Sequence, residues 1–229
     1  MNFTERTELI IGKENLSRLS GAAVAVFGTG GVGSYTVEAL ARAGIGTLIL
    51  VDHDIVSESN INRQIIALHS TIGRKKIDVI KERCLDINPA LSVFTYDRFI
   101  LPENCADFFS TLPVVPDFVC DCIDTVSGKL SLIEYCKSHA IRIISCMGTG
   151  NKLDPSRFRI CDISKTSVCP LCRVMRRELK SRGIFNVPVL YSDEIPVETE
   201  KRDTIGSISY VPSSAGLLIA GYVIRNLMI

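Results

Sequence analysis

A glycine-rich loop follows the first apolar segment of the chain and reads Gly28-Thr29-Gly30-Gly31-Val32-Gly33. Glycine lets the backbone turn sharply and approach a phosphate closely, and the amides that open a following helix attract an anion. The loop therefore predicts a phosphate site that includes Gly28, Gly30, Gly31 and Gly33. NAD, FAD and ATP binders all use such a turn, so the loop alone does not identify the nucleotide.

A carboxylate and a group of polar and basic residues come next along the chain. Asp52 ends the second apolar segment, where a carboxylate accepts hydrogen bonds from the ribose of either NAD or ATP. Asn60, Arg63, Gln64 and Lys76 follow it. Arg63 and Lys76 are suited to neutralising a triphosphate and the charge that develops when its α-phosphorus is attacked, which favours ATP. For either residue alone, a solvated basic surface is the alternative.

Another acidic residue stands just beyond a third apolar segment, in the sequence Asp121-Cys122-Ile123-Asp124. Open α/β sheets bind ligands at the carboxyl ends of their strands. Mg²⁺ takes one or two protein carboxylates together with waters and phosphate oxygens, so one aspartate that faces a nucleotide suffices. We therefore predict Asp124 as the magnesium ligand. An aspartate that caps the following helix is the alternative.

The segments that must position these residues alternate between strands and helices. Apolar segments typical of buried strands occupy residues 22–27, 47–52, 91–96, 117–124 and 141–146, and RFRICDI from residue 157 alternates as a strand. Helical patterns occupy residues 32–44, 74–86, 103–110 and 126–140. Such alternation predicts parallel βαβ units and a Rossmann-like, doubly wound α/β sheet.

The two ends of the chain and one internal segment are assigned separately. Residues 1–20 are predicted to be helical. Residues 185–204 show no clear period, contain two prolines and are predicted to form a flexible surface loop. Residues 205–210 alternate as a strand, and a buried terminal helix follows. We reject a membrane span there, because Pro212 interrupts the uncharged stretch.

Bulk composition limits the class of protein. With 229 residues, 46% of them apolar, the chain accommodates one domain that spans residues 1–229. The net charge of +1, from 26 basic and 25 acidic residues, gives no global attraction to nucleic acid or membrane. Nine irregularly spaced cysteines and the absence of an apolar signal core indicate a cytoplasmic protein without a membrane partner.

The glycine loop, the segment VDHDIVSESNINRQ, Lys76 and DCID together resemble the adenylating domain of the ubiquitin-activating-enzyme-like (ThiF-type) family. That family includes the adenylyltransferases of thiamine and molybdopterin sulfur carriers, and the resemblance covers Arg6 to about Ala140. It implies that the chain activates a carboxylate with ATP and Mg²⁺. The implied roles are ribose binding by Asp52, phosphate binding by Asn60, Arg63, Gln64 and Lys76, and magnesium binding by Asp124.

The same resemblance extends to the N-terminal segment RTELIIG. In the family, the arginine of this motif reaches across a homodimer interface into the partner's ATP site. The resemblance therefore implies a homodimer to which residues 1–20 contribute, with Arg6 as the candidate for that role. An ordinary surface arginine in a frayed helix is the alternative.

Cysteine placement bears on the substrate. Sulfur-carrier enzymes of the family bind structural zinc through two Cys-x-x-Cys pairs, whereas this chain has one, Cys169-Pro170-Leu171-Cys172, and no cysteine after it. We therefore expect no zinc and no covalent transfer to a carrier protein, and we interpret the pair as two incidental thiols. Zinc shared between subunits is the alternative.

Two long segments point to one branch of the family. MGTGNKLDPSRFRICDISKTSVCPL and GSISYVPSSAGLLIAGYVIRNL are similar to the tRNA threonylcarbamoyladenosine dehydratases, so the resemblance spans nearly the whole chain. It implies adenylation of the threonyl carboxylate of the modified adenosine, closure of that side chain on itself, and loss of AMP. A neighbouring group of the same substrate can attack the acyl-adenylate without a covalent enzyme intermediate. A sulfur-transfer protein is an additional candidate partner.

A basic stripe is the candidate surface for tRNA. Arg173, Arg176, Arg177 and Lys180 recur at helical spacing, although a solvated helix face would show the same pattern. Two other functions are weighed against the dehydratase. One is an adenylyltransferase that activates the C-terminal Gly-Gly of a sulfur-carrier protein. The other is a non-catalytic or NAD-binding Rossmann module, which has no use for Arg63, Lys76 and Asp124.

Overall fold

The computed structural model describes residues 3–199 and 205–229. The strands are β1 (Ala23–Phe27), β2 (Thr47–Val51), β3 (Ser92–Tyr96), β4 (Phe118–Asp121), β5 (Arg142–Cys146), β6 (Phe158–Asp162) and β7 (Pro188–Ser192). The helices are α1 (Glu5–Gly21), α2 (Gly33–Ala43), α3 (Lys76–Ile87), α4 (Cys105–Ser110), α5 (Val126–Ser138), α6 (Pro170–Ser181) and α7 (Tyr210–Leu227).

All seven strands form one sheet in the order β3-β2-β1-β4-β5-β7-β6. Every neighbouring pair is parallel except β6 and β7, which are antiparallel. This arrangement confirms the predicted Rossmann-like, doubly wound α/β fold. The strand order reverses between β1 and β4, so the loop after β1 lies at the switch point, where open α/β sheets bind ligands.

Side chains of β1 alternate between the two faces of the sheet. Val24 and Val26 join a core cluster with residues of α2, α3 and α7, whereas Ala25 and Phe27 join a second cluster with residues of α4, α5 and α6. Both faces are therefore covered by helices, which explains why the central strands are continuous apolar segments in the sequence. The covered faces leave the carboxyl ends of the strands as the place for a site.

The prediction of a flexible loop over residues 185–204 is wrong for residues 188–192. Pro188–Ser192 is strand β7, which pairs with β5 on one side and β6 on the other. A strand buried between two neighbours is uniformly apolar and shows no alternation, so it escaped notice. Pro188 is tolerated because it is the first residue of the strand. Residues 193–199 have no regular structure, and the rest of the predicted loop, 200–204, lies outside the described residues.

The strand predicted at residues 205–210 is also wrong. Residues 205–208 are irregular, and α7 begins at Tyr210. The segment is instead held by Asn151, whose side-chain Oδ1 accepts the Gly206 N–H at 2.6 Å and whose own N–H donates to the Gly206 carbonyl at 2.8 Å. The terminal helix is present and packs against α2. Among the described residues, no helix is long and apolar enough to cross a membrane.

The N-terminal segment predicted to be helical contains α1, and residues 1 and 2 lie outside the described part of the chain. Within α1, Gly12 adopts a non-helical conformation with φ of 80°.

A fully buried ion pair joins the carboxyl ends of β4 and β5. Lys129 of α5 places its Nζ 3.1 Å from both carboxylate oxygens of Asp121, and neither side chain is exposed to solvent. The same ammonium donates to the Cys146 carbonyl at 2.6 Å, and the Ser145 hydroxyl donates to Asp121. A network in which every charge has partners holds these strand ends in one arrangement.

Replacing one member of this pair tests its contribution to stability. Lys129→Met leaves the Asp121 carboxylate buried without a counter-charge, so we expect a loss of about 3–5 kcal/mol in the free energy of unfolding, measured by urea denaturation. The double variant Asp121→Asn/Lys129→Met should recover part of that loss. Lys75→Met, which removes an exposed pair with Asp97, serves as the control and should change stability far less. Equal effects of the two lysine substitutions would contradict this account.

Candidate nucleotide-binding site

The glycine loop is held in place by close backbone contacts. Gly28 has φ of +84°, and a Cβ atom there would lie 2.8 Å from the Cys122 carbonyl oxygen, just after β4. A Cβ atom on Gly33 would lie 1.8 Å from the Gly28 carbonyl oxygen. Both positions therefore require glycine. The contact brings the start of α2, whose first N–H groups have no partner within the helix, directly to the end of β1.

Side chains from a later segment line the other side of the loop. The Gln64 Nε2 atom would lie 3.6 Å from a Cβ atom on Gly30, and the Arg63 Cγ atom would lie 3.5 Å from one on Gly31. Pro212 of α7 is closer still to Gly31. The structure thus brings Arg63 and Gln64 to the loop, although more than thirty residues separate them from it in the sequence.

Asp52 fastens the loop to the end of β2. One carboxylate oxygen accepts hydrogen bonds from the Thr29 N–H at 2.6 Å and the Thr29 hydroxyl at 2.9 Å. The other oxygen accepts from the Asp54 N–H at 2.9 Å. Asp52 is buried and therefore has a positional role in addition to the predicted contact with ribose. Thr29 was not singled out in the sequence, because a threonine within a glycine loop carries no distinctive signal.

The two predicted cations differ in their surroundings. The Arg63 guanidinium donates to the Ser59 carbonyl at 2.8 Å and to the Asn62 side-chain oxygen at 2.9 Å, and both acceptors are neutral. Its positive charge therefore stays uncompensated in these contacts. Lys76, the first residue of α3, is buried, and its Nζ lies 2.7 Å from Asp54 Oδ2. Sequence reasoning missed Asp54 as the partner of Lys76, although its place two residues after Asp52 could have suggested it.

Asn60 closes a tight turn. Its side-chain oxygen accepts the Ser57 N–H at 3.1 Å, and the residue is buried. This bond fixes the segment that carries Arg63 and Gln64, so the structure assigns Asn60 a positional role. The predicted phosphate contact remains a prediction.

A buried polar atom beside the loop has no partner. Among the described residues, Gln64 Oε1 is buried and unpartnered, and the same side chain contacts Gly30 of the loop. Ser34 Oγ, in the first turn of α2, is unpartnered as well. Leaving a buried polar group unpaired costs about 1–3 kcal/mol, so the Gln64 oxygen beside the loop fits a site that takes a polar ligand.

Asp124 is exposed and follows the end of β4 by three residues. It therefore lies at the carboxyl edge of the sheet. Its carboxylate is accessible to solvent, which suits a magnesium ion that keeps several of its waters. Asp52, His53 and Asp54 form the one group of three close potential metal ligands among the described residues. Asp52 and Asp54 in that group already hold Thr29 and Lys76, so Asp124 fits the metal better.

Arg6 is exposed in the first turn of α1, and none of the other predicted site residues is on that helix. Its neighbours Leu9 and Ile10 are 84% and 86% exposed. An exposed apolar pair on a helix is a common feature of interaction surfaces. The role of Arg6 across a dimer stays a prediction.

The predicted basic stripe on α6 is partly neutralised. Arg176 donates to the Thr166 carbonyl at 2.8 Å. Arg177 pairs with Glu178, and Arg182, which follows the stripe, pairs with Glu134 and Glu178. Arg173 and Lys180 are exposed, and neither takes part in an ion pair within the described part of the chain. Arg176 also lacks an acidic partner among the described residues but is half-buried against Thr166, so Arg173 and Lys180 are the exposed members whose charge is uncompensated.

Comparisons with known proteins agree with the motifs. The profile of the ThiF family matches residues 4–228. The tRNA threonylcarbamoyladenosine dehydratase of Bacillus subtilis is 42% identical over 97% of this chain and 93% of its own length. The crystal structure of Escherichia coli tRNA N6-threonylcarbamoyladenosine dehydratase in complex with ATP superposes with a TM-score of 0.90 at 34% identity, covering 97% of this chain and 92% of that one. The complex of the same enzyme with AMP gives a TM-score of 0.91.

Substitution of Arg63 tests the phosphate assignment. Since hydrogen bonds to a charged group contribute about 1.5–3 kcal/mol, Arg63→Ala should weaken ATP binding roughly tenfold to a hundredfold and AMP binding much less. Isothermal titration calorimetry with both nucleotides measures the difference. Arg159→Ala is the matched control, because Arg159 also donates to neutral backbone oxygens but lies on β6, at the far edge of the sheet. Equal loss for ATP and AMP would contradict the assignment.

Proposed function

The chain belongs to the ThiF family, and from this premise we propose that it is an ATP-dependent enzyme that converts threonylcarbamoyladenosine in tRNA to its cyclic, dehydrated form. The observation that carries the proposal is the 42% identity to a dehydratase of this name over nearly the full length of both chains. The glycine loop with its neighbouring cations supports the ATP-dependent part.

The proposed reaction has two steps. The threonyl carboxylate attacks the α-phosphorus of ATP, the bond to the β-phosphate breaks, and pyrophosphate leaves. A group of the same modified side chain then attacks the acyl carbon, and AMP leaves with one oxygen of the original carboxylate. The substrate has lost the elements of water, and ATP has become AMP and pyrophosphate.

Binding in the first step depends on groups whose charges or polar atoms are unsatisfied. Arg63, with only neutral acceptors, is available to pair two phosphate oxygens. Lys76 adds a second positive charge. Its ammonium, which pairs with Asp54 in the free protein, would bind a phosphate oxygen in place of that carboxylate. The unpartnered Gln64 oxygen and the amides of the glycine loop provide further polar contacts. Asp52 binds the ribose, and Asn60 keeps the segment that carries Arg63 in place.

Asp124 would hold Mg²⁺ at the edge of the sheet. When bound, this ion would neutralise part of the charge on the phosphates. The exposed carboxylate and its place at the carboxyl end of β4 support the assignment. We expect no zinc, because the single Cys-x-x-Cys pair supplies only two of the four ligands that a closed structural site needs.

We also propose that the enzyme is a homodimer in which Arg6 completes the ATP site of the partner. The exposed Leu9 and Ile10 on the same helix provide an apolar surface for such contact. We further propose a cytoplasmic location, which a tRNA substrate supports, and a sulfur-transfer protein as a candidate partner. For the tRNA itself, Arg173 and Lys180 are the exposed members of the α6 stripe without an acidic partner among the described residues, so their charges are available to phosphates.

Direct analysis of the product tests the proposed function. The protein is incubated with ATP, Mg²⁺ and tRNA that carries threonylcarbamoyladenosine, and the nucleosides are analysed by mass spectrometry. We expect a nucleoside lighter by one water, with AMP and pyrophosphate formed in equal amounts, and no reaction on tRNA that lacks the modification. Asp124→Ala should abolish turnover. If only a small carrier protein ending in Gly-Gly stimulates pyrophosphate release, the chain is instead a sulfur-carrier adenylyltransferase.

Complementation tests the role of Arg6. Arg6→Ala and Lys76→Ala should each be inactive alone, because one lacks the arginine given to the partner and the other lacks the lysine of its own site. After the two variants are mixed and allowed to exchange subunits, each mixed dimer contains one intact site. Turnover should then recover to about a quarter of the unmodified rate, as random pairing of two subunits requires. Failure to recover, with exchange verified by mass, would place Arg6 outside the site.

The salt dependence of tRNA affinity tests the α6 surface. Arg173→Glu/Lys180→Glu should weaken tRNA binding and lower the slope of log affinity against log salt by roughly 0.7–0.9 for each phosphate that the variant no longer neutralises. Arg159→Glu, at the far edge of the sheet, is the control for a change in charge alone. An unchanged slope in the double variant would remove α6 from the tRNA surface.

A further inference from the structure

Two cysteines that the proposed reaction does not use stand together in the first turn of α6. Cys169 is the residue just before the helix, and Cys172 follows one turn later. Cys169 is 4% exposed and Cys172 is fully buried. A Cys-x-x-Cys pair at the start of a helix places both sulfur atoms on one side of the helix, close enough to interact.

The surroundings of Cys169 favour its anionic form. The adjacent Cys172 thiol and the backbone N–H groups of Cys172, Gly148 and Leu171 lower the pKa of Cys169 to about 5. The negative sulfur in turn raises the pKa of Cys172. The surroundings therefore favour a thiolate at Cys169 and a thiol at Cys172, which is the division of roles that a dithiol site requires.

A buried cation lies close to the same sulfur. Lys152 is 5% exposed, and its ammonium donates to the Glu194 carbonyl. Burial lowers the pKa of Lys152, whereas the nearby Cys169 and Glu194 charges act in the opposite direction. The charge of Cys169 therefore acts on Lys152, so a titration of either group affects the other.

The other cysteines provide a contrast within one chain. All nine are free, and burial raises the pKa of Cys84 to about 12, of Cys105 to about 11 and of Cys146 to about 12. The pKa is also raised by burial at Cys120, Cys122, Cys136 and Cys161. Cys169 is thus the one cysteine of the nine whose surroundings favour the thiolate, and buried thiols of the other kind react slowly.

The backbone that leads into the pair is strained. Val168, immediately before Cys169, has φ of +61°, a conformation that a β-branched residue rarely adopts. The next N–H, that of Cys169, donates to the Ser167 carbonyl at 2.5 Å. A non-glycine residue persists in this region only where the surrounding structure imposes it. Here the strain accompanies the placement of the Cys169 sulfur near Gly148, where a Cβ atom would lie 3.7 Å from that sulfur.

We propose that Cys169 and Cys172 form a reversible thiol–disulfide site whose oxidant is hydrogen peroxide. The Cys169 thiolate attacks one peroxide oxygen, the O–O bond breaks, and hydroxide leaves and takes a proton from solvent to become water, so that the sulfur becomes a sulfenic acid. The Cys172 sulfur then attacks the Cys169 sulfur, the S–O bond breaks, and the hydroxyl leaves as a second water with the proton of the Cys172 thiol, which completes the disulfide. Peroxide accepts two electrons in total, and a dithiol reductant returns them. The small size of peroxide suits a sulfur that is almost fully buried.

The pair lies at the same edge of the sheet as the site proposed for ATP but does not depend on that function. Gly148 follows β5, the neighbour of β4, so the pair stands at the carboxyl edge of the same sheet. Oxidation removes the negative charge of Cys169, which accepts the Gly148 N–H and partly offsets the lowering of the Lys152 pKa by burial. The chemistry can therefore be tested on the protein without nucleotide or tRNA.

Peptide mapping tests the proposal on the full chain. The protein is treated with peroxide, unreacted thiols are blocked under denaturing conditions, and trypsin releases TSVCPLCR, residues 166–173, which contains both cysteines and no other. We expect this peptide to lose two hydrogens and to recover them with dithiothreitol, while the other seven cysteines stay reduced. Oxidation spread over the other cysteines, or none in this peptide, would overturn the proposal.

Two variants separate the roles of the sulfur atoms. Cys172→Ser should stop at the sulfenic acid, trapped at Cys169 by a 1,3-diketone, whereas Cys169→Ser should leave Cys172 unoxidised. Thermal unfolding verifies that both variants are folded. The rate of disulfide formation in the unmodified chain should be flat between about pH 6 and 8 and fall below about pH 5, since the thiolate is already formed above its pKa. A rate that rises tenfold per pH unit across that range would show an ordinary thiol.

Discussion

The contact between Gly33 and the Gly28 carbonyl determines where the groups of the nucleotide site can lie. A Cβ atom on Gly33 would be 1.8 Å from that oxygen, so α2 can begin where it does only because this residue has no side chain. Gly28 in turn touches the Cys122 carbonyl after β4, and Thr29 is bonded to Asp52 after β2. The loop is thereby fixed against the ends of the two strands that flank β1, which places the start of α2 at the switch point of the sheet.

Charge is distributed around this loop in a way that suits an anionic ligand. Arg63 is held by neutral oxygens, Lys76 by a half-exposed Asp54, and the Gln64 side-chain oxygen is buried without a partner. The ends of β4 and β5 show the opposite arrangement. There the buried charges of Asp121 and Lys129 pair with each other and need no ligand. A preorganised frame with unsatisfied groups aimed at the ligand is the arrangement that electrostatic stabilisation of a reacting phosphate needs.

The sequence predicted the sheet and the glycine loop because both depend on local patterns. Apolar segments alternate with helical periods, and Gly28 and Gly33 stand where a tight turn demands glycine. Lys129 was missed, since a lysine at helical spacing is indistinguishable from a surface residue until its Asp121 partner is located. Strand β7 was missed because burial between two strands removes the alternation that marks an exposed one. The ion pair between Glu134 and Arg182, just after the α6 stripe, could not be predicted because the two residues are distant in sequence.

An isotope experiment tests the central claim, that a substrate carboxylate is activated as an acyl-adenylate. tRNA is prepared with heavy oxygen in both positions of the threonyl carboxylate and converted by the protein with unlabelled ATP and Mg²⁺. The proposed reaction transfers one labelled oxygen to the phosphate of AMP and leaves pyrophosphate unlabelled, which mass spectrometry of the two products detects. Labelled inorganic phosphate, or cyclic product formed with unlabelled AMP, would contradict the account.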